Sequence, residues 1–294
     1  MKAYTSNNIR NIAVLGHGGK GKTTLCEAML YIAGASDRLG RVADGNTVLD
    51  FDSEEKRRKS SVSSAIAALE WDNTKLNIID APGLFDFEGG AAEAVRAAEA
   101  VLIVTSAGSG VDVGTEKAFR AAEKKGAAKF FAVTKTDSDH RNFYKTFDAL
   151  KEVYGNKLCP TIIPYMEGNI TKCYVNLMTG MAFSYDENGK ATKVPVPEDS
   201  VIEEMTSAFM EAVATTDDAL MEKFFEGEKF TKEEILKGLC IGIFDGSIYP
   251  VYAVSGLTCA GVDQLLYGLA WSAPGAFGYA GEKCTYENGE EGIL

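Results

Sequence analysis

Unbroken apolar runs recur at residues 12–15, 76–79, 101–104 and 130–133. Helix-like stretches at 23–32, 90–100, 115–125 and 142–154 alternate with them. Continuous rather than alternating apolar strands, joined through helices, predict a sheet buried on both faces and mostly parallel. The expected class is α/β, with helices on both faces of that sheet. Ligand sites in such sheets lie at the carboxyl ends of the strands.

Two segments break the rhythm. Residues 39–64 are highly charged around Asp52-Ser53-Glu54-Glu55-Lys56-Arg57-Arg58-Lys59, then serine-rich. They read as a long loop, either solvated or functional. Residues 158–250 carry strand-like stretches at 172–177, 181–185 and near 192–196, with a turn at Asp186-Glu187-Asn188-Gly189. Three helices follow near 199–213, 217–225 and 232–243, the last opened by a capping box at Thr231-Lys232-Glu233-Glu234. This segment is expected to be a small inserted α+β subdomain. The first pattern then resumes with a strand at 249–254 and a helix at 262–271. The expected division is a discontinuous first domain, 1–157 and 251–273, interrupted by the insert at 158–250. A glycine-rich tail, 274–294, reads as a linker toward further domains.

Charge sharpens the division. The chain of 294 residues carries a net charge of −12. Residues 158–250 hold 7 lysines, no arginine and 16 acids, so most of the excess sits there. Direct DNA binding by such a surface is not expected, and a basic protein is the better partner. No stretch approaches the ~18 apolar residues of a membrane span, and residues 1–10 lack the apolar core of a signal peptide. Six cysteines are scattered without a C-x-x-C pair, which reads as reduced thiols in a cytoplasmic protein. The two histidines, His17 and His140, make no zinc site by themselves.

Four motifs sit at the ends of these strands. Gly16-His17-Gly18-Gly19-Lys20-Gly21-Lys22-Thr23, followed by Thr24, has the spacing G-x-x-x-x-G-K-[ST] between strand and helix. Its glycines let backbone amides face phosphate oxygens at a helix N-terminus. Lys22 then reaches the β/γ-phosphates, and the Thr23 hydroxyl ligates Mg²⁺. Asp80-Ala81-Pro82-Gly83 has the spacing D-x-x-G. Its acid suits a water-mediated Mg²⁺ contact, and Gly83 lets an amide approach a γ-phosphate closely. Thr134-Lys135-Thr136-Asp137 has the spacing [NT]-K-x-D. The Asp137 carboxylate matches the N1–H and exocyclic amine of guanine, a donor pair that adenine lacks, and the Lys135 stem can lie over the base. Ser255-Gly256-Leu257 reads either as a turn presenting amides to guanine O6 or as a strand–helix loop that needs glycine.

In this order, and with the acidic insert before the last motif, residues 9–273 resemble the N-terminal GTPase region of elongation factor G. The chain is most similar to the bacterial elongation-factor-G-like paralogues. The resemblance implies a P-loop NTPase fold, GTP/GDP and Mg²⁺ as ligands, the ribosome as partner, and stalk proteins contacted through the insert. It also implies two switch segments, near 42–64 and 80–90, and a longer parent protein. A monomer is expected.

Four positions depart from that family. Gly19 stands where the principal factors have an acid linked to a monovalent cation. Ser61, in Arg58-Lys59-Ser60-Ser61, stands at the hydroxyl position of the first switch and keeps a possible Mg²⁺ ligand. Thr134 replaces asparagine, which predicts weaker nucleotide binding with unchanged base choice. Leu84 replaces the histidine that orients the attacking water. Lys22, Gly83 and the position of Leu84 are the candidate catalytic residues. The expectation is GTP hydrolysis to GDP and phosphate, intrinsically slow, because leucine neither donates nor accepts a hydrogen bond. The alternative is a nucleotide-gated ribosome-binding module with little intrinsic hydrolysis.

Overall fold

A computed structural model describes residues 2–137, 142–168, 170–275, 283–287 and 289–293. His140 and residues 276–282 of the tail lie outside the described residues.

The first strand, β1 (Ile9–Leu15), leads through the glycine loop into helix α1 (Lys22–Ile32). The charged segment that follows is not a plain loop. It contains α2 (Ser53–Arg58), fixed by a capping box in which the Asp52 carboxylate accepts from the Glu54 amide at 2.7 Å and Glu55 reaches back to the Asp52 amide at 3.2 Å. Asp-x-x-Glu carries this capping chemistry, which the charge run conceals. Next come β2 (Ala65–Trp71) and β3 (Thr74–Asp80), an antiparallel hairpin turned at Asp72 and Asn73, both in the left-handed region. Strand β2 is absent from the apolar pattern, because its alanine-rich face gives little periodic signal.

The chain continues through α3 (Glu88–Arg96), β4 (Ala100–Ser106), α4 (Val113–Lys125), β5 (Ala128–Thr134) and α5 (Phe143–Tyr154). Then follow β6 (Leu158–Glu167), β7 (Ile170–Asn176), β8 (Met181–Tyr185) and β9 (Ala191–Val194). Helices α6 (Ser200–Ala214), α7 (Asp218–Glu226) and α8 (Lys232–Asp245) complete the insert, and Thr231 and Glu234 form the expected capping box. Strand β10 (Tyr249–Ala253) and helix α9 (Val262–Ser272) return to the first pattern. A short hairpin, β11 (Lys283–Thr285) and β12 (Glu291–Ile293), lies in the tail.

One ten-stranded sheet runs in the order β2-β3-β1-β4-β5-β10-β6-β7-β8-β9. Its centre, from β3 to β6, is parallel, and both wings are antiparallel. Every residue of β4, β5 and β10 is buried, as a sheet covered on both faces requires. Helix α9 packs on α1 and α8 in one layer, and α3 packs on α4 in another. The insert's strands continue the main sheet, because β6 pairs with β10. Strand β6 escapes the sequence pattern because Pro160 and Pro164 interrupt it, and proline normally argues against a buried strand.

Candidate nucleotide site

The four motifs converge at the carboxyl ends of β1, β3, β5 and β10. Gly16 has φ +142°, and a Cβ there would overlap the Val104 carbonyl oxygen of β4, so only glycine lets the loop leave the sheet. Gly21, with φ +90°, caps α1 without a side chain. Amides of the first helical turn are thus left unused by any cap and face the loop. The Lys22 ammonium crosses the loop and donates to the Gly16 carbonyl at 2.9 Å and the His17 carbonyl at 3.2 Å. Burial lowers its pKa, while Asp80 opposes the shift. The far side is fixed by the third motif. The Thr134 hydroxyl donates its one proton to the Lys20 carbonyl at 2.6 Å, with the Thr105 carbonyl 3.0 Å from the same oxygen, and Lys135 Nζ donates to the Gly19 carbonyl at 2.7 Å. Lys20 points outward, to Ser109 Oγ at 2.9 Å and Asp112 at 3.1 Å.

Beside Lys22 the oxygens converge. Thr23 Oγ1 lies 3.1 Å from Ser61 Oγ, and Ser61 donates to Asp50 Oδ1 at 2.7 Å. Asp80, only 1% exposed, has its pKa raised to about 7. Burial is the largest cause; the Thr23 hydroxyl and Lys22 act against it, while Asp50 and Glu27 add to it. Asp80 Oδ1 and Asp50 Oδ2 are both buried without a hydrogen-bond partner. Orphaned carboxylate oxygens beside two hydroxyls are the donor chemistry of a hard, oxygen-seeking cation such as Mg²⁺. Among the described residues no three His, Cys, Asp or Glu side chains form a metal cluster, so an ion here would rest on hydroxyls, carboxylates and ligand oxygens.

The D-x-x-G loop lies against the phosphate loop. A Cβ on Gly83 would overlap Lys22 Nζ and stand 2.8 Å from the Gly18 amide nitrogen. Leu84 is 39% exposed, and its Cδ2 sits 3.0 Å from where a Gly18 Cβ would be. The next residue, Phe85, meets the His17 ring edge-on at 5.6 Å and lies 4.3 Å beneath Lys117 Nζ. Leu84 lines a cavity of about 520 Å³ with Leu15, Pro82, Phe85 and Ala118, and with the charged Glu88 and Lys117.

At the opposite end, Gly21, Thr24, Thr134, Lys135, Asp137, Gly256 and Leu257 line one recess of about 90 Å³. Residues from three distant motifs therefore meet at one point. A Cβ on Gly256 would stand 3.0 Å from the Thr24 carbonyl, so glycine permits this close approach to α1. Ser255 does not line the recess. It is fully buried, its amide donates to the Ala260 carbonyl at 2.9 Å, and its hydroxyl accepts from the Thr258 amide at 3.2 Å. It shapes the turn, while Gly256 and Leu257 reach the recess.

Sequence reasoning missed three acids here. Asp50 is described above. Glu27, wholly buried on α1, accepts from the Val48 and Leu49 amides at 2.8 and 3.0 Å and so ties the charged segment to the phosphate-loop helix. Glu55 accepts from the Val62 and Ser63 amides at 3.0 and 3.2 Å, next to Ser61. The available signal was an acid among apolar neighbours, Leu49-Asp50-Phe51, within an otherwise polar stretch.

Comparison with known proteins gives the family of the chain. The family model for the elongation factor Tu GTP binding domain matches residues 7–274. Elongation factor G-like proteins from two strains of Mycobacterium tuberculosis, CDC 1551/Oshkosh and H37Rv, are each 33% identical over 261 residues, 88% of this chain. The chain spans 36% of the length of these curated relatives. A crystal structure of a protein from Thermus thermophilus superposes with a TM-score of 0.85 at 35% identity, over 92% of this chain and 41% of that one. The chain belongs to the elongation factor Tu GTP-binding-domain family of GTPases and is related within it to elongation factor G-like proteins.

Proposed function

We propose that this chain is the GTP-binding part of an elongation-factor-G-like translational GTPase, hydrolysing GTP to GDP and phosphate and coupling two switch segments to the ribosome. The observation that carries the reading is the convergence of Gly21, Thr134, Lys135, Asp137 and Gly256 on one recess, a short reach from the Lys22 loop. Backbone amides of 16–23 hold the phosphates, and Lys22 exchanges its two loop carbonyls for phosphate oxygens. Thr23 and Ser61 supply hydroxyl ligands for Mg²⁺, with Asp80 acting through water and Asp50 closing the same corner. Bound Mg²⁺ would neutralise charge on the transferred phosphoryl group. Gly83 lets its loop lie against the phosphate loop. Leu84 offers no polar atom to a water, so intrinsic hydrolysis is slow.

That apolar side chain also favours a second reading, a nucleotide-gated ribosome-binding module that scarcely hydrolyses GTP. The proposed domain division keeps 158–250 as an acidic insert, begun at β6, whose charge would steer basic stalk proteins. The protein is proposed to act as a cytoplasmic monomer. Calorimetry with GTP, GDP and ADP, then phosphate release with and without purified ribosomes, tests the reading. Guanine-selective binding with ribosome-stimulated release supports it. Equal ADP binding overturns the nucleotide assignment, and selective binding with no release selects the second reading.

A further inference from the structure

The third residue of the third motif, Thr136, does not line the recess, yet it is buried and its hydroxyl and carbonyl are both engaged. Its Oγ1 donates to the Val254 carbonyl at 3.0 Å. The same oxygen lies 2.7 Å from the Tyr174 hydroxyl. A threonine hydroxyl has one proton, and that proton is committed to Val254, so Tyr174 is the donor of the second bond. The Thr136 carbonyl in turn accepts from Thr171 Oγ1 at 2.9 Å. Tyr174 and Thr171 both stand on β7, a strand of the acidic insert.

The consequence is a directional relay from the Tyr174 hydroxyl to the Thr136 hydroxyl to the Val254 carbonyl. It joins the loop that carries Asp137 to the residue immediately before Ser255-Gly256-Leu257. Lys135, between Thr134 and Thr136, has φ +60°, a left-handed conformation that a lysine holds only when its surroundings fix it. Tyr174 is itself held. Its ring meets Tyr185 edge-on at 5.5 Å, and the Tyr185 hydroxyl donates to Asp263 of α9 at 2.6 Å. Asn176 donates to Gln264 on the same helix at 2.9 Å.

We infer that the insert supplies positioning residues for purine recognition: Tyr174, seconded by Thr171, holds both base-reading loops at the separation at which Asp137 discriminates guanine. This inference rests on the nucleotide reading above and adds to it a role for the insert inside the base site. Neither side chain lines the recess shared by Gly21, Lys135, Asp137 and Gly256; both act through Thr136.

The test compares GDP with inosine diphosphate, which lacks the 2-amino group that a well-placed Asp137 would bind. Dissociation of both nucleotides is measured by stopped flow for the whole chain and for Tyr174→Phe, Thr171→Val and Tyr185→Phe. Loss of one buried hydrogen bond predicts roughly 3- to 10-fold faster GDP release in Tyr174→Phe, with the GDP preference over inosine diphosphate reduced. Thr171→Val should move in the same direction. Tyr185→Phe loses the bond to Asp263 that anchors the ring bracing Tyr174, and should move the ratio in the same direction by less. A purely structural role would weaken both nucleotides in proportion, so an unchanged ratio in Tyr174→Phe and Thr171→Val, with GDP binding intact, overturns the inference alone. A wild-type chain without GDP affinity overturns the nucleotide reading and this inference together.

Discussion

Asp80 links the stability of the protein to pH, and Asp80→Asn exposes that link. Its folded pKa of about 7 stands above the ordinary 3.8, chiefly because the carboxylate is buried. Between those values the native state holds a proton that the unfolded chain has lost. Stability contributed by this group is therefore fully present below pH 3.8 and declines as pH rises toward 7. The shift of about three units corresponds to about 4 kcal/mol in full, and to about 2–3 kcal/mol between pH 5 and pH 8. Asparagine keeps the shape without the charge. In urea melts of nucleotide-free protein in EDTA, Asp80→Asn should gain about 2–3 kcal/mol on wild type between pH 5 and pH 8. Asp50 and Glu27, whose pKa values burial also raises, leave a residual slope in both proteins. Added Mg²⁺ with GDP should stabilise wild type more at pH 8 than at pH 6, because the cation needs the ionised carboxylate. That pH dependence should shrink in Asp80→Asn. Parallel stability curves for the two proteins would refute the assignment of a raised pKa to this buried acid.

Two further outcomes follow from the same geometry. Single-turnover hydrolysis should be slow in wild type and equally slow in Leu84→Ala, while Leu84→His should raise the rate by roughly 10-fold or more by restoring a polar group there. Glu27→Ala should cost roughly 2–3 kcal/mol by stranding the Val48 and Leu49 amides, and tryptic cleavage after Arg41 and within Lys56–Lys59 should accelerate.

Features that depend on local chemistry were legible in the sequence. Gly16 and Gly21 announce backbone conformations that side chains forbid, and the apolar runs of β4 and β5 announce a doubly covered sheet. The capping box at Thr231 places α8 correctly for the same reason. What stayed hidden depends on partners distant in the chain. Strand β6 is stabilised by β10, about ninety residues away, despite its prolines. Glu27 and Asp50 gain their roles only when the charged segment folds back on α1. Nothing near Tyr174 in sequence signals Thr136, because the bond between them joins a loop and a strand far apart in the chain. Ser255 resembles a ligand contact in sequence for a physical reason: the turn it shapes is real, while its own polar atoms are spent on holding that turn.

Calorimetry of GDP and xanthosine diphosphate against wild type and Asp137→Asn addresses the purine assignment directly. A carboxylate accepts two hydrogen bonds from guanine, whereas a carboxamide offers one acceptor and one donor, the match for xanthine. Wild type should bind GDP and Asp137→Asn should lose roughly 100-fold in GDP affinity while gaining xanthosine diphosphate. GDP binding unchanged by the substitution would contradict the claim that this recess reads guanine.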